Sequence, residues 1–241
     1  MVAMEKILRS NEPGYVLHTY PYRETSLIVE MFSRHAGRVA LLAKGAKRPR
    51  SAIRGQLLSF QPLELSWVGK HDPQILQKAE WRGGQPMLQG LALICGFYMN
   101  ELLLKLLPRD DPHENLFDAY AETLAELALG GEVAAQLRRF ELRLLSELGY
   151  GLVLDAEPAT GRPIMANDYY VYLPDSGAMA KPASRNQVQF RGKTFLDLQR
   201  EDFSDPVTLA ESKQLLRMQI QHHLGNQELH TRQLLKDLQA L

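Results

Sequence analysis

Five cations crowd one short stretch of the chain. Lys44, Lys47, Arg48, Arg50 and Arg54 lie within eleven residues, and Gly45, Pro49 and Gly55 are placed to keep that stretch out of regular structure. A loop of like charges repels itself unless a polyanion neutralises it. Phosphate oxygens would do so, with binding driven by counterion release. A solvated surface loop accounts for the charge density equally well. What favours binding is the β pattern on either side, because small five-stranded barrels present one face and its adjoining loops to oligonucleotides.

Single strands also need flat surfaces on which bases stack. Tyr15, Tyr20, Tyr22, Phe32, Phe60, Trp67 and Trp81 all fall in the same segment. A barrel this small needs most of them as core. Tyr20 and Tyr22 flank Pro21 at an expected strand end and are the candidates for exposure.

Bond-making chemistry finds little footing. Gly45-Ala-Lys lacks the Gly-x4-Gly-Lys-Ser/Thr spacing of a phosphate-binding loop. The Asp110-Asp111-Pro112-His113-Glu114 run reads better as a helix start than as a metal cluster: Asp111 as N-cap, Pro112 first in the helix, Glu114 third. His222 and His223 are adjacent near a helix end and do not share a helix face. The single cysteine, Cys95, sits in an apolar run and reads as core. No catalytic residue, metal or cofactor is expected. A second cation group, Arg138, Arg139 and Arg143, stands out because residues 100–157 hold 12 acidic and 5 basic residues. Arg143 can pair with Glu147 at i+4. Arg138 and Arg139 are expected to stay unpaired and, with Phe140, to border a groove for an acidic peptide or its terminal carboxylate.

The elements that must position these groups change character along the chain. Residues 14–20, 26–32, 37–43, 57–68 and 74–81 read as five strands separated by turn residues. Gly83-Gly84 and Pro86 mark a boundary, after which the apolar period becomes helical. Helices are expected over 88–107, from Asp111 to Leu129, and from about Glu132 to Leu148, where Gly149 ends the last. Residues 151–192 are rich in Pro and Gly, with one strand of a short hairpin at Tyr169–Leu173. Two helices, 209–223 and 226–241, close the chain. The expected class is α+β and multi-domain. A five-stranded barrel occupies residues 1–82, a helical domain 83–151, a small irregular β module 152–192, and C-terminal helices that pack with the helical domain 193–241.

Charge follows the same division. The 241 residues carry no net charge, yet residues 1–82 hold 13 Lys and Arg against 7 Asp and Glu, leaving 15 against 21 for the rest. A basic module beside an acidic one suggests that one of them meets a polyanion. No apolar run is long enough to span a bilayer, and Met1–Ser10 lacks the apolar core of a signal peptide, so a cytoplasmic location is expected.

Four stretches in order, Tyr22-Arg-Glu-Thr-Ser-Leu, Gly37-Arg-Val-Ala-Leu-Leu-Ala-Lys-Gly-Ala, Phe97-Tyr-Met-Asn-Glu-Leu-Leu and Leu137-Arg-Arg-Phe-Glu-Leu, followed by Leu148-Gly-Tyr-Gly, resemble the RecO recombination-mediator family of bacteria. The match covers the first 151 residues, and the last ninety agree only in general character. The resemblance implies an N-terminal OB-fold, a helical domain and a small inserted module. It implies a non-enzymatic role in DNA repair and recombination: binding single- and double-stranded DNA, annealing strands, and working with RecR and with the acidic C-terminal tail of single-stranded-DNA-binding protein to help RecA load. By position it places Arg38, Lys44, Lys47, Arg48 and Arg50 on the DNA surface, to which the loop reading adds Arg54 and Tyr22. It puts Arg138 in the tail-binding pocket. Many members hold zinc through four cysteines in the inserted module. Residues 155–181 have none, so zinc is not expected, and Tyr169, Tyr170, Tyr172 and their neighbours must hold the hairpin instead. An RNA-binding OB-fold protein and a metal-dependent nuclease remain the rival readings of the residues alone.

Overall fold

The computed structural model describes residues 8–70, 72–180, 187–231 and 233. It groups the chain into two compact units, one from Met1–Gly131 with Leu229–Leu241, the other Glu132–Glu228.

The first unit is built on five strands: β1 (Leu8–Tyr22), β2 (Ser26–Ser33), β3 (Gly37–Ala43), β4 (Leu63–Val68) and β5 (Gln74–Trp81). They close in the order β1-β2-β3-β5-β4, a five-stranded barrel of the OB class. The β3–β5 pair is parallel and the others are antiparallel. Side chains that alternate inward, among them Val16, Val29, Met31, Val39, Leu41, Leu63, Leu65, Trp67 and Leu76, fill the interior. Closure depends on β1 serving two neighbours. Its first half pairs with β4 and its second with β2, and Gly14 is paired with both Leu63 and Ser33. A Cβ at Gly14 would lie 2.6 Å from Leu65 Cδ1 and 3.2 Å from the Phe32 carbonyl oxygen, so the crossing point has no room for a side chain.

Three expectations for the barrel need correction. β1 does not end before Pro21, which stays in register opposite Leu27. Proline removes only an N–H, and at a strand end that loss is tolerated. The expected strand 57–68 begins only at Leu63. The cation stretch is not wholly irregular, because α1 (Ala52–Gln56) forms at its end. Ile53 packs on the barrel interior and Leu57 is buried in it, and this i, i+4 pair pins the short helix down.

Two helices of this unit, α2 (Gly90–Leu106) and α3 (Glu114–Ala128), cover part of the outer barrel face. Phe32 and Tyr15 point outward and meet Phe117 and Tyr120 at centroid distances of 5.2–5.9 Å. Asn100 fixes α2 in place. Its buried side-chain amide donates to the Leu17 carbonyl at 2.9 Å and accepts from Tyr120 Oη at 2.6 Å. Leu17 lies where the β1–β2 register slips, so Asn100 satisfies a carbonyl that the irregular ladder exposes. Helix α3 starts later than expected, with His113 rather than Asp111 at its N-cap and no side-chain cap bond. Residues 109–111 are held against β3 instead. Arg109 bridges to Arg38, and the Asp110 N–H donates to the Arg38 carbonyl at 2.9 Å. Gly37, at φ +72, lies so close to Asp111 that a Cβ would be 2.1 Å from its carbonyl oxygen.

The chain rejoins this unit near its end. Glu101 accepts from the N–H groups of His230 and Thr231 at 2.8 and 2.9 Å and from Thr231 Oγ1 at 2.6 Å. Burial pushes the Glu101 carboxyl up. The bonds from Thr231, His230 and Lys105 outweigh that and hold it below its ordinary value. The helix expected over 226–241 falls mostly outside the described residues, of which 230, 231 and 233 are helical.

The second unit contains α4 (Val133–Glu147), a three-stranded sheet ordered β7 (Gly177–Met179), β6 (Tyr169–Leu173), β8 (Gln189–Arg191), then α5 (Gly192–Gln199) and α6 (Pro206–Leu224). Its hairpin is held by rings. Tyr170, Tyr172 and Phe190 surround Phe195 of α5 at about 6 Å between centroids. Tyr169, expected to help, is exposed. Helix α6 has the proline start that the α3 reading assigned elsewhere, with Asp205 accepting from the Val207 N–H at 2.8 Å ahead of Pro206.

Candidate nucleic-acid interface

The loop that leaves β3 is anchored through its backbone and turns its charged side chains to solvent. Ala46 is fully buried. The Lys47 N–H donates to the Thr25 carbonyl at 2.8 Å, and the Gly45 N–H donates to Ser26 Oγ at 3.3 Å. A turn between Gly45 and Arg48 and a second between Arg48 and Ser51 shape the rest. Lys44, Lys47, Arg48, Arg50 and Arg54 are all exposed. Among the described residues, none of the five has a carboxylate within ion-pairing distance, whereas Arg34, Arg109 and Arg191 each have two. The loop thus has an inward-bonded backbone and presents five charges that no carboxylate among the described residues neutralises.

The anchoring contact brings in a residue that the sequence reading passed over. Thr25 belongs to the β1–β2 turn, and Arg23 stands exposed in that turn at φ +51. Its guanidinium lies 5.3 Å from the centre of the Tyr22 ring, within cation–π range. Tyr22 is half-buried, and Tyr20 is 45% exposed. Val68 and Ile75 pair, and Leu42 pairs with Ile75, so the β4–β5 turn with exposed Lys70 lies at the same barrel end as Ala43 and the cation loop. A hairpin turn after Pro21-Tyr22 carrying an arginine was the signal that could have found Arg23.

Arg38 is placed differently from the other cations. Its Nη1 donates to the Leu104 carbonyl, and burial lowers its pKa. It faces the barrel–α2 contact rather than open solvent. Trp81, expected in the core with most aromatics, is 59% exposed at the far end of β5, its Nε1 donating to Gln61 Oε1 at 2.9 Å.

The second cation group does not form an open set. Arg138 is not unpaired: it lies on the buried face of α4 and meets Glu141, three residues on, at 2.6 Å. Phe140 is fully buried. Arg139 is half-buried, 5.4 Å from the Phe203 ring centre, with Nη2 3.4 Å from the Glu201 carbonyl. Arg143 approaches Glu201 at 3.8 Å. Of the three residues proposed to border a groove, Arg139 alone reaches the surface.

Barrel and helices together define an α+β protein with an OB-type domain at its N-terminal side. Its sequence family is equally clear. The family described as Recombination protein O N terminal matches residues 4–84, and Recombination protein O C terminal matches residues 87–233. Proteins named DNA repair protein RecO are similar over nearly the whole length. That of Nitrosospira multiformis is 50% identical over 240 residues, covering 99% of each chain. That of Dechloromonas aromatica is 54% identical over 235 residues, covering 96% of this chain and 97% of its own. The chain belongs to the RecO family of DNA repair proteins, whose members are mediators rather than enzymes. The family boundary at residues 84–87 falls before α2, whereas α2 and α3 pack with the barrel. No helix among the described residues is long and apolar enough to cross a membrane.

Proposed function

We propose that this chain binds single- and double-stranded DNA through the cation loop of its barrel and acts as a recombination mediator in the cytoplasm. The observation that carries the reading is the set of five exposed cations, unpaired among the described residues, on an anchored loop of an OB-type barrel. Arg23 and Lys70 extend that set. Binding is electrostatic, so it tolerates any sequence and brings coated or complementary strands together without bond chemistry. Strand annealing follows from holding two polyanions on one surface. RecR and single-stranded-DNA-binding protein are the partners in handing strands to RecA, and Arg139 at the surface of α4 is the residue we assign to first contact with that protein's acidic tail. Fluorescence anisotropy with single-stranded and duplex oligonucleotides tests the reading. The Lys44→Glu, Lys47→Glu, Arg48→Glu variant should lose affinity for both, and unchanged affinity would remove the loop from the interface.

A further inference from the structure

The outer face of β1 beyond the register slip carries an aromatic row. His18, Tyr20 and Tyr22 alternate along the strand and so share one side of it. His18 and Tyr20 are exposed, and their rings lie 4.5 Å apart at 63°. Across the sheet, Tyr20 stands opposite Ile28 and Ile28 opposite Leu42, both only partly covered. Phe32 on the same face is buried under α3 by Phe117 and Tyr120. The helices therefore cover the Phe32 end of this face and leave the Tyr20 end open. The open end runs directly into the cations: Tyr22 carries the Arg23 guanidinium over its ring, and the Thr25 carbonyl is bonded to the Lys47 N–H.

An open strip of tyrosine, histidine and aliphatic surface bordered by exposed cations matches an amphipathic polyanion, with the flat apolar parts on the strip and the phosphates on the rim. Unpaired nucleic-acid strands have that chemistry. In a duplex the base faces are already stacked on one another. We propose that the face centred on Tyr20, with His18 and Tyr22 beside it, is a stacking platform for unpaired bases, so that single strands engage this domain through bases and phosphates but duplexes through phosphates alone. The inference rests on the DNA-binding reading of the adjoining loop and adds the means by which the same site tells the two forms apart.

The test uses the full-length protein and three ligands of equal length: oligothymidylate, the same backbone without bases, and a duplex. Stacking on one aromatic residue is worth roughly 5- to 140-fold in affinity. Tyr20→Ala should lose about that much for oligothymidylate, with no change for the abasic strand or the duplex and no change in salt slope. Tyr20→Phe, which keeps the ring, should bind as the unaltered protein does. Equal losses on oligothymidylate and abasic strand, or no loss on any ligand, would overturn the platform. The latter result would leave the strip to a protein partner. Loop reversal at Lys44, Lys47 and Arg48 separates the two claims. If it weakens all three ligands while Tyr20→Ala weakens none, the DNA-binding reading stands and the platform falls. If loop reversal changes nothing, the reading beneath the platform falls.

Discussion

The two arginine-rich segments look alike as text and are opposites in space. Lys47-Arg48-Pro-Arg50 stands on a loop whose backbone is bonded inward and whose side chains meet no carboxylate among the described residues. Arg138-Arg139 lies on a helix whose periodicity turns Arg138 into the core against Glu141. Glycine and proline keep the first group on the surface, while the 3.6-residue repeat divides the second between interior and rim. A run of cations therefore reports charge, and the local backbone decides whether that charge is available to a partner.

The contrast is most sharply tested by charge itself. Reversing Lys44, Lys47 and Arg48 should weaken DNA binding on the order of a hundredfold at moderate salt. Exposed as they are, these residues should leave stability within about 0.5 kcal/mol. Arg138→Ala should do the reverse. Removing one partner of a buried ion pair costs about 3–5 kcal/mol, so chemical denaturation should show a large loss while binding of naked DNA by the protein that remains folded is unaffected. For this reason a tail-binding defect in Arg138→Ala would not by itself assign a contact. Next in size is Asn100→Leu, which leaves the Leu17 carbonyl and the Tyr120 hydroxyl without this partner. It should cost about 1–3 kcal/mol for each group left unsatisfied, read as a lower denaturation midpoint.

Glu101 gives a pH-dependent contrast within the first unit. Its folded pKa is depressed, so its contribution is full above the ordinary carboxylate range and is lost as pH falls through the folded value. The protection factors of the His230 and Thr231 amides, that is, exchange rates corrected for their intrinsic pH dependence, should fall on acidification. In Glu101→Gln protection should be weak already at neutral pH and nearly independent of pH. The smallest expected effect is that of Arg139→Ala. Stability should move by about 0.5 kcal/mol or less, while an acidic tail peptide binds more weakly by isothermal titration. Unchanged peptide binding would leave α4 without a role in capture.

Much of the first unit was legible because strand alternation and turn residues are local signals. β3 and β5 lie where the pattern put them, and β2 extends one residue further. The pattern misled where tertiary contacts decide. Asp111 has the local form of a cap, but the bonding of residues 109 and 110 to Arg38 and the close approach of Asp111 to Gly37 hold it out of the helix. Trp81 has the composition of core, yet it sits at a strand end beyond the filled interior. The cation loop was legible by composition alone, whereas its anchoring to the β1–β2 turn, which adds Arg23, needed the fold. The Arg138–Glu141 pair was readable in principle, since three residues on a helix bring side chains together, and Ala135, Arg138, Glu141 and Leu145 recur on the buried face. In the second unit, Phe190 and Phe195 escaped notice because they are separated in sequence from the tyrosines that they hold.

The central claim, that the loop's cations are free to neutralise phosphates, is tested most directly by the salt dependence of binding to a single-stranded oligonucleotide. The logarithm of the association constant should fall linearly with the logarithm of salt concentration. In the Lys44→Glu, Lys47→Glu, Arg48→Glu variant that slope should be shallower by about two to three. A slope equal to that of the unaltered protein would mean that phosphate is neutralised elsewhere, and would contradict the account.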